Sequence, residues 1–390
     1  MQLARRLRTA IEAGTLHAGT KLLGTRQLAL RLGLGRNTVG LAFEQLLAEG
    51  YLEARTGSGT FVAAIGEKRR AHRAGSNRAL PASARKAASL RRYFGIAAGS
   101  GPLRPGTPDL SSFPTPAWKR CARRALQTYP ADLGYGPSSG LRALREAIAT
   151  HVRQFRGVTA QPDQVVVVEG AQAAVHLATL VLASAGDRVV VEDPCYALAR
   201  AAFEVNGLAL HAVPADAQGI DVSRLPQSAR LAFVTPTHQF PLGGTLPVAR
   251  RLELLSWAKN AGSYILEDDY DSEFTSKTRP LPSLQSLDRE ERVVYVGSFS
   301  KTLAPSVRLG YLIVPPHLAQ AFRVARASTS LGVSVHLQAA AAAFIAGGHF
   351  ARHIRRMNGV YERRRTILLQ TMNAHLPAGF RLGPRRSDCT

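Results

Sequence analysis

Apolar positions in residues 1–64 first recur at helical spacing and then alternate, which predicts three short helices followed by a small β-hairpin. A glycine stands where each helix is expected to stop, and Thr25 precedes the second helix as its expected cap. This order of elements is that of a winged helix-turn-helix. The positions that carry the pattern are Leu3, Leu7, Ile11 and Gly14 for the first helix, Gly33 after a second helix over 26–32, and Val39, Ala42, Phe43, Leu46, Leu47 and Gly50 for the third.

From about residue 101 onward, short apolar runs alternate with amphipathic helical segments. This alternation predicts an α/β domain with a mostly parallel sheet, here assigned to residues 101–390. The predicted strands are 165–168, 188–192, 231–235, 264–267, 293–296 and 311–314, and the clearest helices between them are 171–183 and 247–260.

Residues 65–100 separate these two regions and differ from both in composition. They are rich in Arg, Ala, Ser and Gly and contain a single acid, Glu67. Such a segment is predicted to be a solvated basic linker.

The net charge of the chain indicates what kind of partner it binds. The 390 residues carry 50 Lys and Arg against 27 Asp and Glu, a net charge of +23, which favours nucleic acid or anionic ligands. Only seven of the basic residues are lysine, so a general preference for arginine is an alternative source of part of the excess. The chain has neither a membrane-length apolar run nor a signal-peptide core, and its three scattered cysteines form no zinc or disulfide pattern. The sequence therefore predicts a cytosolic protein without a metal site.

The third helix of the winged motif opens with residues suited to reading DNA. The first turn of a recognition helix meets base edges, where Arg can pair with guanine and Asn with adenine. The second helix and the glycine-rich wing are expected to meet phosphates. A packing module whose polar residues are merely solvated is the alternative. Contacts with double-stranded DNA are predicted for Arg26, Arg36, Asn37, Thr38, Ser58 and Gly59.

Segments 33–39, 49–52 and 57–62 resemble the winged-helix domain of GntR-type bacterial regulators. The resemblance implies binding to an operator. The chain departs from the family at Gly35, where a serine usually caps the third helix, and at Leu23 and Gly24, where Pro-Ser is preferred. Weaker operator binding is the expected consequence.

Lys301 ends a Ser-Phe-Ser-Lys motif that begins just after the strand predicted at 293–296. The carboxyl ends of strands form the edge at which α/β sheets bind ligands. A lysine buried there loses its proton readily and can form a Schiff base with an aldehyde. Ser298, Ser300 and Arg308 are close enough in sequence to hold a phosphate beside it. A solvated loop lysine is the alternative.

A second cluster of polar residues, Glu-Asp-Asp-Tyr at 267–270, ends another predicted strand. The ring of pyridoxal phosphate needs an acid at its pyridine nitrogen, and it benefits from a hydroxyl at its phenolic oxygen. Tyr270 can supply that hydroxyl. A metal site built from the acids between 267 and 273 is the alternative, but consecutive carboxylates on a strand point to opposite faces and no histidine is adjacent.

Two weaker signals point to the same cofactor. Gly170, Ala171 and Gln172 join a predicted strand to a predicted helix, where backbone N–H groups can bind phosphate. Tyr196 can stack on the cofactor ring, although core packing explains a lone aromatic equally well.

Together these segments resemble fold-type-I pyridoxal-phosphate proteins, the aspartate aminotransferase superfamily. The resemblance implies that Lys301 forms the Schiff base and that Asp268 meets the pyridine nitrogen, with Asp269 as the open alternative. Tyr135 is similar to the tyrosine that reaches the phosphate of a neighbouring subunit, which implies a homodimer. The resemblance assigns the phenolic oxygen to Tyr270 and the phosphate to Ser298, Arg308, Gly170, Ala171 and Gln172.

One departure narrows the family. Aminotransferases usually carry Asn-Pro-x-Gly where this chain has His-Gln-Phe-Pro-Leu-Gly at 238–243, so Phe240 replaces a hydrogen-bond donor and His238 is a candidate substitute. This variant, with the acidic run at 267–274, resembles the MocR subfamily of GntR regulators, which join a winged helix to an aminotransferase-like domain. Relatives continue beyond the length of this chain, so an incomplete C-terminal small domain is expected.

The function implied is that of a pyridoxal-phosphate-dependent, DNA-binding transcriptional regulator that senses an amino acid or amine through a Schiff base at Lys301. An active aminotransferase with a fused DNA-binding domain is the first alternative. An inactive remnant that binds no cofactor is the second.

Overall fold

The chain folds into two compact units that divide between Leu80 and Pro81 in a computed structural model. Most of the predicted linker and the last fourteen residues lie outside the described part of the chain. The described residues are 2–64, 80–93, 106–128, 134–274 and 282–376.

The smaller unit has the predicted winged-helix order. Its core lies where α3 packs on the other elements, with Val39, Phe43 and Leu46 almost fully buried. Strands β1 and β2 pair antiparallel as a hairpin. The elements are α1 (Gln2–Glu12), α2 (Thr25–Leu32), α3 (Arg36–Ala48), β1 (Leu52–Arg55) and β2 (Gly59–Val62).

The helix ends of this unit follow the predicted glycines with one correction. Gly33 ends α2 in the left-handed conformation, with φ 66°, and Gly35 precedes α3 without a capping side chain. The prediction that Thr25 caps α2 is wrong, because Thr25 is already the first helical residue and Gly24 occupies the cap position. Both α2 and α3 thus begin after a glycine, and neither N-cap residue supplies a side chain to the free N–H groups of the first turn.

The larger unit begins inside the stretch that the sequence predicts as a linker. The helix α4 (Ala82–Ser89) and the 3-10 turn after it belong to this unit. Leu90 is buried, and the Tyr93 hydroxyl donates a hydrogen bond to Glu204 at 2.6 Å. This part of the predicted linker is therefore packed rather than solvated.

The larger unit otherwise alternates helices and strands along the chain. Its remaining helices are α5 (Thr115–Thr128), α6 (Arg142–Arg156), α7 (Ala171–Leu182), α8 (Ala197–Val205), α9 (Val248–Ala261), α10 (Leu284–Leu287), α11 (Ala319–Thr329), α12 (Val335–Ala346) and α13 (His349–His375). Its strands are β3 (Val165–Val168), β4 (Arg188–Asp193), β5 (Ala209–Asp216), β6 (Gly219–Ile220), β7 (Leu231–Val234), β8 (Tyr264–Asp269), β9 (Val293–Ser298) and β10 (Gly310–Ile313).

These eight strands form one sheet in the order β3-β10-β9-β8-β7-β4-β5-β6. The central strands β9, β8, β7, β4 and β5 run parallel, whereas β10 is antiparallel to both of its neighbours and β6 is antiparallel to β5. The predicted mostly parallel α/β sheet is confirmed. The sequence predicted six of the strands but not β5 and β6.

Helices cover both faces of this sheet. Successive strand residues point to opposite faces, so Val166 and Val168 pack with α7, α8 and α11, whereas Val165 and Val167 pack with α5, α6 and α12. Helices α9 and α10 cover the part of the sheet around β4, β7 and β8. The described helices include none that is long and apolar enough to cross a membrane.

Candidate functional site

Lys301 lies in the turn that follows β9 and is half-buried. Its Nζ donates a hydrogen bond to the carbonyl oxygen of Gly106 at 2.5 Å. Burial lowers the pKa of Lys301, and the negative charges of Asp268 and Asp271 oppose that shift. The chain thus holds an amine with weakened basicity at the carboxyl edge of the sheet, where a nucleophile is expected.

Asp268 lies near the end of the adjacent strand β8 and is only 5% exposed. Its Oδ1 has no hydrogen-bond partner among the described residues. Burial, and then the charge of Asp269, raise the pKa of Asp268 to about 7, while Lys301 lowers it. A buried carboxylate oxygen without a donor is costly, so this group is suited to a cationic partner from outside the chain; Asp269 Oδ1 also lacks a partner among the described residues, but the other oxygen of Asp269 is engaged as described next.

Asp269 is held on the opposite face of β8. Its Oδ2 accepts three hydrogen bonds, from Arg156 Nε at 2.7 Å, Tyr295 OH at 2.6 Å and Ser272 Oγ at 2.9 Å. Arg156 and Asp269 are both buried, so this is an internal ion pair. This ion pair engages Asp269. Asp268 is the carboxylate near the end of β8 whose charge interacts with that of Lys301.

Three aromatic rings stand near these groups. The Phe240 ring meets Tyr196 and Tyr270 edge to face, each with a centroid distance of 6.1 Å. Burial raises the pKa of Tyr196 to about 12, with Asp268 adding to the shift and Arg308 opposing it. Tyr196 therefore lies close to Asp268, which is predicted to meet the cofactor ring, and to Arg308, which is predicted to bind the cofactor phosphate.

His238, the candidate substitute for the missing asparagine, lies against a carboxylate. Its Nδ1 lies 2.9 Å from Asp271 Oδ2. This nitrogen is thus engaged by a carboxylate, and Phe240 takes the position between the two tyrosine rings.

Two of the predicted phosphate residues, Gly170 and Arg308, lie close together where α7 begins. Gly170 precedes α7 with φ 96°, and a side chain at that position would come 3.9 Å from Arg308 Nη1. Arg308 is exposed and lies in the left-handed region with φ 48°, a conformation that costs a non-glycine residue about 1–3 kcal/mol. Ser300 N donates a hydrogen bond to Ser298 Oγ at 3.1 Å. The Arg308 guanidinium and the free N–H groups at the start of α7 thus both lie next to the turn at Gly170.

Of the remaining predicted cofactor residues, Ala171 and Gln172 lie at the start of α7, and Tyr135 does not join them. Ala171 is in the first turn of α7, and Gln172 Nε2 donates to the Leu198 carbonyl at 2.9 Å. Gln172 Oε1 is buried and has no partner among the described residues. Tyr135 is 86% exposed and is not brought to the others within the chain.

Sequence reasoning missed Gln239, which is almost fully buried. Its Nε2 donates to the Pro194 carbonyl at 2.7 Å and to the Phe240 carbonyl at 3.0 Å, and its Oε1 accepts from Leu242 N at 3.0 Å. Gln239 therefore joins the loop that carries Phe240 to the end of β4, next to Tyr196. Its place inside the quoted His-Gln-Phe-Pro motif was the available signal.

Glu192 and Gly106 were also missed. Glu192 Oε2 accepts from Thr235 Oγ1 at 2.6 Å, and burial raises the pKa of Glu192 to about 7. The partners of Glu192 and Lys301 are 43 and 195 positions away in sequence, so no local motif indicates them.

The predicted DNA residues lie on the smaller unit. Arg36, Asn37 and Thr38 form the first turn of α3 and are all exposed, and Arg26 is exposed on α2. Ser58 and Gly59 are exposed where β1 turns into β2. In the described part of the chain, no group of three or more His, Cys, Asp or Glu side chains is placed to hold a metal ion.

Fold and site together define a winged-helix unit and an aminotransferase-like unit on one chain. Residues 105–387 match the family described as Aminotransferase class I and II, and residues 1–62 match the family described as Bacterial regulatory proteins, gntR family. Known relatives carry the same combination.

The chain is 40% identical over 382 residues to the Probable rhizopine catabolism regulatory protein MocR of Rhizobium meliloti, covering 96% of this chain and 77% of the relative. It is 33% identical over 371 residues to the HTH-type pyridoxine biosynthesis transcriptional regulator PdxR of Corynebacterium glutamicum, covering 95% and 78%. The solved structure of LysN, an alpha-aminoadipate aminotransferase from Thermus thermophilus complexed with N-(5'-phosphopyridoxyl)-L-leucine, matches with a TM-score of 0.68 and 28% identity over 78% of this chain and 79% of that one. The chain belongs to the MocR subfamily of GntR-type transcriptional regulators.

The aminotransferase class I and II fold implies pyridoxal phosphate as the cofactor. The residues present fit that group. Lys301 offers an amine of lowered pKa, and Asp268 offers a buried oxygen without a donor. Gly170 leaves open the turn that Arg308 faces.

Replacing Asp268 by asparagine is expected to stabilise the cofactor-free protein above pH 7. The pKa of Asp268 is about 7 in the folded chain against an ordinary value of 3.8, so between these values the folded chain keeps a proton that the unfolded chain releases. The free energy of unfolding of the wild type therefore falls as the pH rises through this interval, by at most about 4 kcal/mol. Asparagine does not titrate and avoids the loss. Urea titrations between about pH 5 and pH 8 measure the difference.

Asp269→Asn is the matched control on the same strand. It removes the carboxylate that pairs with Arg156 and is expected to lower the free energy of unfolding at every pH in this range. If the two variants respond alike, the two carboxylates do not have the separate environments described above.

Proposed function

We propose that this chain is a DNA-binding transcriptional regulator that binds pyridoxal phosphate and senses an amino acid or amine through a Schiff base at Lys301. The observation that carries the proposal is that Lys301, in the turn after β9, and the buried Asp268, near the end of the adjacent strand β8, lie close enough for the charge of each to shift the pKa of the other. A lysine needs a neutral amine to attack an aldehyde, and burial favours the neutral form by lowering the pKa of Lys301. A structural domain without a ligand has no need for either group in this state.

Pyridoxal phosphate supplies an aldehyde that condenses with amines and a ring that withdraws electrons. Lys301 would hold the cofactor through its aldehyde carbon, with the aldehyde oxygen lost as water. Asp268 would hold a positive charge at the pyridine nitrogen, and that charge would supply the partner that its Oδ1 lacks among the described residues. Tyr270 donates to the phenolic oxygen, and Tyr196 excludes water from one face of the ring. The phosphate is assigned to Ser298, Ser300, Arg308, Gly170, Ala171 and Gln172.

An incoming amino acid or amine competes with Lys301 for the aldehyde. With the cofactor bound, a new bond between the amine nitrogen and the aldehyde carbon would replace the bond to Lys301 Nζ, and Gly106 O is the acceptor available to the freed Lys301 amine. Control of DNA binding requires that the amine bind two states of the protein with different affinity. Exposed Tyr135 supports a homodimer, in which this side chain reaches the phosphate of the other subunit.

The winged-helix unit provides the DNA contacts. Arg36, Asn37 and Thr38 enter the major groove as the first turn of α3, where they are exposed and free of the core. Arg26, Ser58 and Gly59 meet the flanking phosphates. A dimer carries two such units and reads two half-sites.

Effector-dependent operator binding tests this proposal. An operator is selected from random duplex DNA with the full chain, and its affinity is measured with pyridoxal phosphate and a panel of amino acids and amines. One amine class is expected to change the operator affinity of the wild type by about 5- to 150-fold, the usual range of allosteric coupling. The Lys301→Ala variant is expected to bind the same operator with no response to that class.

The active aminotransferase remains the second candidate, because solved aminotransferases share the fold and Lys301 has the lowered pKa that an acid–base catalyst needs. Steady formation of a 2-oxo acid from an amino acid, without any change in operator affinity, would establish that candidate instead. An operator response that persists in Lys301→Ala would contradict sensing through this lysine.

A further inference from the structure

The outward face of α3 carries an apolar side chain that the fold of the smaller unit does not use. The inward face, with Val39, Phe43 and Leu46, is fully buried and completes the core. Leu41 points away from that core and is 66% exposed. It lies one helical turn after Asn37 and therefore on the same exposed face. Leu41 is therefore an apolar side chain on the same face as the predicted DNA-reading residues, where it is available for a contact outside the chain.

Gly40, the residue before Leu41, gives an independent indication. Glycine inside a helix is less stable than alanine, and Gly40 does not have the positive φ that would require it. A Cβ built on Gly40 would meet no other part of the described chain within 4 Å. Neither the backbone nor the packing of this unit requires a glycine there. The absence of a side chain at Gly40 leaves room for a binding partner to approach the helix backbone closely.

We propose that Gly40 and Leu41 form a thymine-reading position on α3. Leu41 contacts the C5-methyl group of a thymine in the major groove, and Gly40 lets the helix axis come close to the base edges. Thymine is the only base that presents a methyl group in this groove. The inference rests on the proposed DNA-binding function, and it adds a residue pair and the base that the pair recognises.

The charge of the unit favours DNA over a protein surface as the occupant. Residues 1–64 contain eight Lys and Arg against four Glu, a net charge of +4. Two of those acids are already paired, Glu49 with Arg8 and Glu53 with Arg55. Leu41 follows Asn37 by about 6 Å along the helix axis, so the thymine lies one or two base pairs from the base that Asn37 meets.

Deoxyuridine scanning of the selected operator tests the assignment, because deoxyuridine differs from thymidine only by the missing methyl group. Each thymine in turn is replaced, and the affinity of the full chain is measured by fluorescence anisotropy. The wild type is expected to lose about three- to tenfold in affinity at one position in each half-site. Leu41→Ala is expected to lose a similar factor on the thymine operator and to bind the two DNAs equally.

Two further variants control the result. Leu30→Ala removes another exposed leucine, 79% exposed on α2, and is expected to keep the wild-type discrimination between thymine and deoxyuridine. Gly40→Ala is expected to weaken binding to both DNAs by about tenfold, since a methyl group on this helix face keeps α3 away from the bases.

Two outcomes overturn the proposal while leaving DNA binding intact. Either no thymine position is sensitive in the wild type, or Leu41→Ala still discriminates between thymine and deoxyuridine because it loses affinity on both DNAs by the same factor. If no operator can be selected and Arg36→Ala binds DNA as the wild type does, the proposed function fails as well.

Discussion

Lys301→Ala is expected to abolish covalent attachment of pyridoxal phosphate to this protein. The wild type mixed with the cofactor should develop a visible absorbance band, and borohydride reduction should fix the cofactor on the peptide that contains Lys301. Schiff-base formation requires a primary amine held near the aldehyde, and Lys301 combines a lowered pKa with a position beside Asp268. Alanine supplies no amine, so the band and the modified peptide should both disappear.

Lys259→Ala provides the control for this experiment. Lys259 is exposed on α9 and forms an ion pair with Glu290 at 2.7 Å. Pyridoxal phosphate reacts slowly with exposed lysines in general, so peptide mapping after reduction is needed to identify the site. The wild type and Lys259→Ala should give the same band. If Lys301→Ala keeps the band, the cofactor is bound through another residue, and if no variant gives a band, the sensor and the enzyme both fail for this chain.

Arg156→Ala is expected to lower the free energy of unfolding by about 3–5 kcal/mol, the cost of leaving a buried charge without its partner. Arg156 is the last residue of α6, and its Nε donates to Asp269 Oδ2 at 2.7 Å while Nη2 donates to Thr237 Oγ1 at 2.6 Å. Both charges of the ion pair are nearly inaccessible to water. Removing the guanidinium leaves Asp269 with neutral donors only.

Urea unfolding followed by tryptophan fluorescence isolates this effect. The two tryptophans, Trp118 and Trp257, both belong to the larger unit, so the signal reports that unit alone. Arg142→Ala, at the other end of α6, breaks an exposed pair with Glu146 and should change the free energy of unfolding by less than about 1 kcal/mol. If the two variants change the free energy of unfolding equally, the buried ion pair does not stabilise the larger unit more than an exposed pair does.

The same ion pair explains why the sequence could not decide which of Asp268 and Asp269 meets the pyridine nitrogen. The run Glu-Asp-Asp-Tyr predicts a strand end whose acids point to alternate faces of the sheet, but the sequence does not show which face carries the site. Arg156 and Tyr295 lie 113 and 26 positions from Asp269 in the chain, and they reach it only because α6 and β9 pack beside β8. The choice between Asp268 and Asp269 is thus a consequence of tertiary contacts.

Strand prediction succeeded and failed for one physical reason. The buried strands β3 and β7 are continuous apolar runs because helices cover both of their faces, and such runs are visible in the sequence. Strand β5 (Ala209–Asp216) lies toward the end of the sheet, contains Pro214 and keeps several side chains exposed, so its pattern resembles a loop. Packing against β4 makes it a strand.

The sequence by itself determined the winged-helix order, the mostly parallel α/β sheet, and the motif that singles out Lys301. These features depend on neighbours within one element or one turn, where periodicity, glycine stops and residue type are sufficient. Only the tertiary structure decided that Gly106 meets Lys301, that Gln239 holds the Phe240 loop on β4, and that residues 81–93 pack within the larger unit. The physical reason is the strand order of the sheet, which brings together side chains that are far apart in the chain and whose free energy depends on burial and on partners that no local pattern encodes.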